Sequence, residues 1–176
     1  MATLFVIGTP IGNLEDITFR AVRVLQEVDV ILCEDTRVTS RLLARYDISG
    51  KQLLTYNEEK SGLSVEKIVA LLTEGKNVAL VADAGTPGIS DPGSYLVDKI
   101  RQAASEVKIE SVPGPSARTA ALSIAGVPVS DFVFLGFLPH KKGRETLFKE
   151  IAVAERAMIF YESPHRILKA LESLAK

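Results

Sequence analysis

Short runs of β-branched and aliphatic residues alternate with segments of helical spacing along almost the whole chain, an order that leaves few folds open. Leu4 to Ile7, Val30 to Cys33, Leu53 to Tyr56, Val78 to Ala82 and Ile109 to Val112 read as short buried strands, each followed by helix-like spacing. Ala21, Val24, Leu25 and Val28 share one helical face after a Thr18 N-cap, and Ile68, Leu71 and Leu72 share another before Gly75, which suits a C-terminal cap. The pattern predicts an α/β domain with a largely parallel sheet over residues 1–127. A second block, 128–176, opens where Gly126, Pro128, Ser130 and Asp131 punctuate the chain before the apolar run Phe132 to Leu138. Helical spacing returns at Leu147, Phe148 and Ile151, and a strand follows from Met158 to Tyr161. A last helix is expected with Ser163 as N-cap, Pro164 as its first residue, and Ile167, Leu168 and Leu171 as its apolar face. Lys176 ends the chain with no capping glycine and too few elements for a second core, so this block reads as the start of an incomplete second α/β domain. The expectation is a piece of a longer polypeptide.

Composition narrows the chemistry. At 176 residues, 47% of them hydrophobic, the chain can bury one full core. No apolar run approaches the roughly 20 residues that span a bilayer, and Met1 to Gly12 lacks the basic start and cleavage site of a secretory signal, so a cytoplasmic protein without membrane contact is expected. Cys33 is the only cysteine and His140 and His165 the only histidines, which argues for metal-free chemistry. With 21 Lys and Arg against 22 Asp and Glu, the net charge of −1 gives no overall basic excess, and any nucleic-acid role must rest on local patches.

The stretch from residue 78 to 93, VALVADAGTPGISDPG, is the most telling. A buried-strand pattern stops at a loop with three Gly, two Pro and two Asp. Gly85, Gly88 and Gly93 remove the Cβ atoms that would hold a small molecule off the main chain, while Pro87 and Pro92 keep the segment from continuing the strand or closing into a helix. Ordinary strand-to-helix loops need only about two to six residues. In open α/β sheets ligands bind beyond the carboxyl ends of strands, where this loop would lie. Two more small-residue loops follow strands: Gly8 to Asn13, and Val112 to Ala117, which leads into a helix through Ser116. Neither is a dinucleotide fingerprint, and Pro10 deletes an N–H that a pyrophosphate would want, so the crevice suits a ligand without a phosphate group.

Six motifs in order, GTPIGN, CEDTR, VADAGTPGISDPG, VPGPSA, FLGFLP and YESPHR, resemble the tetrapyrrole-methylase superfamily of S-adenosylmethionine enzymes from Leu4 to the end of the chain. Within it they resemble the ribosomal branch, which methylates the 2′-oxygen of a cytidine in small-subunit ribosomal RNA. The resemblance implies two α/β domains, a methyl donor held between them, and a homodimer. It implies cofactor contacts at Pro10, Ile11, Ala84, Gly85, Thr86, Ile89, Ser116, Ala117, Tyr161 and Glu162. Gly85-Thr86-Pro87 stands where tetrapyrrole and diphthine methylases usually carry Gly-Asp-Pro, which counts against a porphyrin substrate. A tetrapyrrole C-methyltransferase and a cofactor-binding module without turnover are the rival readings.

Methyl transfer from a sulfonium needs chiefly in-line placement, but a ribose hydroxyl must also lose its proton. Glu34 and Asp35, after the second strand, are the candidate catalytic carboxylates. Arg37, Arg41 and Arg45 form one basic stripe at i, i+4 and i+8, with Arg37 and Arg41 candidates for RNA phosphates. His140, Lys141, Lys142 and Arg144 form a second cluster, and His165 and Arg166 a third, with Lys141, Lys142, Arg144, His165 and Arg166 counted as substrate contacts.

Overall fold

The computed structural model describes residues 2–56, 63–91, 93–127 and 129–175, so Pro92, Pro128 and Lys176 lie outside the described residues. The chain divides into two compact units, Met1–Ala120 and Ala121–Lys176.

The first unit is a parallel sheet of β1 (Thr3–Ile7), β2 (Val30–Cys33), β3 (Gln52–Thr55), β4 (Val78–Val81) and β5 (Lys108–Val112), in the order β3-β2-β4-β1-β5. Every pairing is parallel, with Leu4 opposite Val78 and Ile31 opposite Ala79. β3 starts and ends one residue earlier than the sequence pattern indicates, and β4 stops at Val81, leaving Ala82 to open the long loop. Helices α1 (Phe19–Glu27), α2 (Thr36–Arg45), α3 (Val65–Thr73) and α4 (Gly93–Ala103) make the crossovers. Because side chains alternate along a strand, the sheet has two apolar faces. Leu4, Val30, Leu32, Val78 and Leu80 pack with Ile68 and Leu72 of α3 and Leu96 and Ile100 of α4. Ile7, Ile31, Ala79 and Val81 pack on the opposite face with Ala21, Val24 and Leu25 of α1 and Leu43 of α2. Each fully buried Leu or Ile contributes about 1.5–3 kcal/mol to holding these layers together.

The expected caps are present. Thr18 Oγ1 accepts the Ala21 N–H at 3.1 Å, and Gly75, at φ +90, donates its N–H to Leu72 O. Helix α5 (Ala117–Ile124) crosses the division between the units.

In the second unit β6 (Phe132–Phe137) and β7 (Ala157–Tyr161) pair in parallel, with α6 (Arg144–Ala152) as their crossover. Helix α7 (Ile167–Leu174) corrects the expectation of a Ser163 cap. Ser163 and Pro164 instead belong to a tight turn in which the Ser163 carbonyl accepts the N–H groups of both Arg166 and Ile167 at 3.0 Å, with Arg166 as the N-cap. Its apolar face differs as well: Ala170 is buried, whereas Leu168 and Leu171 are exposed. Among the described residues no helix is long and apolar enough to cross a membrane.

Candidate active site

The loops after β1, β4 and β5 all leave the carboxyl ends of neighbouring strands, and they meet at Gly85. Thr9 and Gly85 exchange backbone hydrogen bonds, N–H to O at 2.9 and 3.1 Å, forming an antiparallel bridge. The Thr9 hydroxyl, buried with its residue only 3% exposed, donates to the carbonyls of Ala82 and Gly85 at 3.0 and 3.2 Å. A Cβ on Gly85 would lie 3.8 Å from Ile11 Cγ2 and 4.0 Å from Pro115 O, so one residue of each loop surrounds this position. The turn there has φ +82, which glycine adopts without strain. Gly8 and Gly114 touch even more closely, since a Cβ on Gly8 would come within 2.8 Å of Gly114 Cα. Gly8 N–H also donates to Val112 O at 3.0 Å.

The long loop is shaped from inside. Asp91 accepts the N–H groups of Gly88 at 2.6 Å, Gly93 at 2.9 Å and Ile89 at 3.3 Å. Ala84 and Ile89 are exposed, Thr86 half-buried. Pro10 is buried, Ile11 and Ser116 half-buried and Ala117 exposed. A cleft of about 40 Å³ opens between Thr9, Pro10, Thr39, Ala82 and Asp83. A wider, open depression of about 470 Å³, lined by Leu43, Ile48, Lys51 and Leu53 among others, lies where α2 ends and β3 begins, at the opposite edge of the sheet from these loops.

The two carboxylates singled out in the sequence separate sharply. Glu34 accepts the Asp83 N–H at 3.3 Å. Burial pushes its carboxyl up from the ordinary value, Asp83 and Asp91 add to the rise, and the Asp83 N–H opposes it. Asp35, the second candidate carboxylate, is engaged locally. It is the N-cap of α2, accepting the Arg37 N–H at 2.8 Å, and it pairs with the Arg37 guanidinium at 2.5 Å. The Arg37 side chain holds its carboxyl down at about 2, leaving it a weak proton acceptor. Arg37, though 87% exposed, is therefore engaged. Arg45 pairs with Glu15 at 3.3 Å, while Arg41 is exposed with no carboxylate partner among the described residues.

In the second unit Tyr161 packs its ring against Phe134 and Phe137, with centroids 5.0 and 5.5 Å apart. Glu162, expected as a cofactor contact, has a fully buried side chain. Its carboxylate faces Arg144 Nη1 at 3.4 Å and Arg166 Nη2 at 2.5 Å, and it accepts the Ser163 N–H at 2.8 Å. Burial alone would raise its pKa, but the Ser163 N–H and the two guanidiniums together outweigh burial and lower it. Arg144 and Arg166, expected as substrate contacts, are inward ion-pair partners of Glu162, whereas Lys141, Lys142 and His165 are exposed.

Sequence reading missed Asp83. Its carboxylate accepts the Asp35 N–H at 3.1 Å. Burial raises its pKa, the Asp35 charge adds to the rise, and the Asp35 N–H and Arg37 oppose it. A signal existed, since Asp83 follows a buried strand as Glu34 does, but the adjacency of those strands is not written locally. Thr9 was missed because its role is a long-range hydrogen bond. Among the described residues no cluster of His, Cys, Asp and Glu suits a metal ion.

Residues 3–176 match the family model of tetrapyrrole (corrin/porphyrin) methylases. The sequence is 51% identical over 174 residues to a Thermotoga maritima protein named ribosomal RNA small subunit methyltransferase I, covering 99% of this chain and 77% of that one. It is 47% identical over 172 residues to a protein of the same name from Escherichia coli O157:H7, covering 97% of this chain and 59% of that one. The solved uroporphyrin-III C-methyltransferase of Thermus thermophilus shares the fold, with a TM-score of 0.67 at 22% identity over 99% of this chain and 73% of that one. With its parallel sheet, its three converging loops and a family match over nearly its whole length, the chain belongs to the tetrapyrrole methylase family of methyltransferases.

Proposed function

We propose that this chain is the catalytic part of an S-adenosylmethionine-dependent methyltransferase that modifies the 2′-oxygen of a cytidine in small-subunit ribosomal RNA. The observation that carries the reading is the convergence of the three loops on Gly85 beside Glu34 and Asp83. The residues fit such a donor: exposed Ile89 offers apolar contact, the loops offer main chain, and the carboxylates of Glu34, Asp83 and Asp91 suit a cation. Pro10, Ile11, Ala84, Gly85, Thr86, Ile89, Ser116 and Ala117 would hold it. When bound, the group supplies a methyl already activated on sulfonium sulfur.

The chain's own work is then placement and proton removal. The Thr9–Gly85 bridge and the Gly8–Gly114 contact fix the loops relative to one another, as in-line transfer requires. Glu34, whose raised pKa makes it a better proton acceptor than an ordinary carboxylate, is the group that accepts the ribose hydroxyl proton. The two named relatives support ribosomal RNA as the acceptor. On the family resemblance we extend the reading to a homodimer acting in the cytoplasm; sedimentation tests the dimer.

The deciding experiment incubates the protein with radiolabelled S-adenosylmethionine and either small-subunit ribosomal RNA or assembled subunits, then maps the label by nuclease digestion and mass spectrometry. Label on a cytidine ribose is the expected result. Label on a base, or on a porphyrinogen offered in its place, overturns the reading.

A further inference from the structure

We propose that Glu162 is the positioning residue of a phosphodiester-binding surface formed by two turns, 139–144 and 163–166, and not a contact to the methyl donor. The inference rests on the reading of RNA as substrate. Both turns lie in the second unit, and one buried carboxylate ties them together. One oxygen of Glu162 faces Arg144 Nη1 at 3.4 Å; the other faces Arg166 Nη2 at 2.5 Å and accepts the Ser163 N–H at 2.8 Å. Arg144 passes the restraint on: Nη1 donates to Pro139 O at 3.0 Å, its backbone N–H to Lys141 O at 3.3 Å, and its guanidinium lies 4.8 Å from the Phe148 ring centre. Arg166 does the same for its own turn through its N–H to Ser163 O at 3.0 Å.

The charge distribution says what such a frame is for. The Glu162 side chain is 0% exposed and those of Arg144 and Arg166 only 16% and 24%, so the inner charges largely compensate one another. His140, Lys141, Lys142 and His165 are exposed on the same two turns, and among the described residues none of them has a carboxylate partner. The unpaired ammonium groups of Lys141 and Lys142, with the two imidazoles beside them as hydrogen-bonding groups, sit on backbone fixed from within and suit the evenly spaced anions of a nucleic-acid strand. Removing the Glu162 charge would leave two guanidiniums facing one another and drive the turns apart.

The test uses a single-stranded RNA oligonucleotide, with anisotropy read across a potassium chloride series and S-adenosylmethionine binding read by calorimetry. Glu162→Gln should weaken RNA binding about tenfold and flatten its salt dependence, with cofactor affinity unchanged within about twofold and the sheet amides still protected from hydrogen exchange. Amides of 141–144 and 163–166 should lose protection. If Glu162→Gln fails to fold, Arg144→Lys, which keeps the charge but loses the fork, must produce the same loss of RNA affinity. Loss of cofactor affinity with RNA binding intact would overturn the proposal, as would loosened turns with unchanged RNA binding. A parent chain that binds no RNA overturns the RNA reading itself, and the proposal with it.

Discussion

Glu34 and Asp83 hold the ends of neighbouring strands β2 and β4 through crossed backbone-to-carboxylate hydrogen bonds: the Glu34 carboxylate accepts the Asp83 N–H at 3.3 Å, and the Asp83 carboxylate accepts the N–H of Asp35, the residue after Glu34, at 3.1 Å. Each carboxylate fixes the segment that carries the other. Both are pushed up in pKa, first by burial and then by neighbouring negative charge, so the arrangement favours a proton more than isolated carboxylates do.

Replacing Glu34 should therefore separate stability from activity. A carboxylate with a raised pKa stabilises the fold fully below its ordinary range, and that contribution is lost as pH rises through the raised value. Glu34→Gln keeps an acceptor oxygen for the Asp83 N–H and removes the charge. Its Tm at neutral pH should be equal to or above that of the parent, while methyl transfer falls by about 100-fold or more. Melting curves across the carboxylate range, beside single-turnover rates, check both halves.

Asp35 should behave in the opposite way. Its pKa, held at about 2 by Arg37, means that its contribution is present above the ordinary carboxylate value and disappears as pH falls toward about 2. Asparagine caps helices as well as aspartate does, so Asp35→Asn should retain turnover within a few-fold, and its deficit against the parent should shrink in acid. A turnover loss as deep as that of Glu34→Gln would return Asp35 to the chemistry.

Gly8→Ala tests the contact between the first and third loops. The new methyl would lie 2.8 Å from Gly114 Cα and N, backbone atoms that cannot turn aside as a flexible side chain can. Destabilisation of about 1–3 kcal/mol, with weakened S-adenosylmethionine binding, is expected from denaturant melts and calorimetry.

Thr9→Val keeps the shape but deletes the hydroxyl that donates to Ala82 O and Gly85 O. The two carbonyls lose a buried donor, at a cost of about 1–3 kcal/mol. Cofactor affinity should fall with stability, because the bond ties the first loop to the long one, and hydrogen exchange at the Gly85 amide should rise.

Elements set by local rules were legible in the chain alone. The Thr18 cap, the Gly75 stop and the alternation that makes Val30 and Leu32 face one layer and Ile31 the other depend on residues within a turn or a pleat of one another. The small residues of the three loops likewise marked places where the main chain lies open: Gly85 holds a φ of +82 that favours glycine, while Gly8 and Gly114 meet so closely that neither has room for a Cβ. What each approaches was not legible. The order β3-β2-β4-β1-β5 brings Glu34 to Asp83 across 49 positions and Thr9 to Gly85 across 76, and no local preference specifies such pairings. The partners of charged residues were the least readable: Asp35, Glu162, Arg144 and Arg166 read as site residues along the chain, and only in space does Asp35 cap a helix and do the other three form a buried ion cluster. The physical reason is that a side chain's covalent structure fixes what it can donate or accept, whereas its partner, its burial and hence its pKa are set by whichever distant segment packs against it.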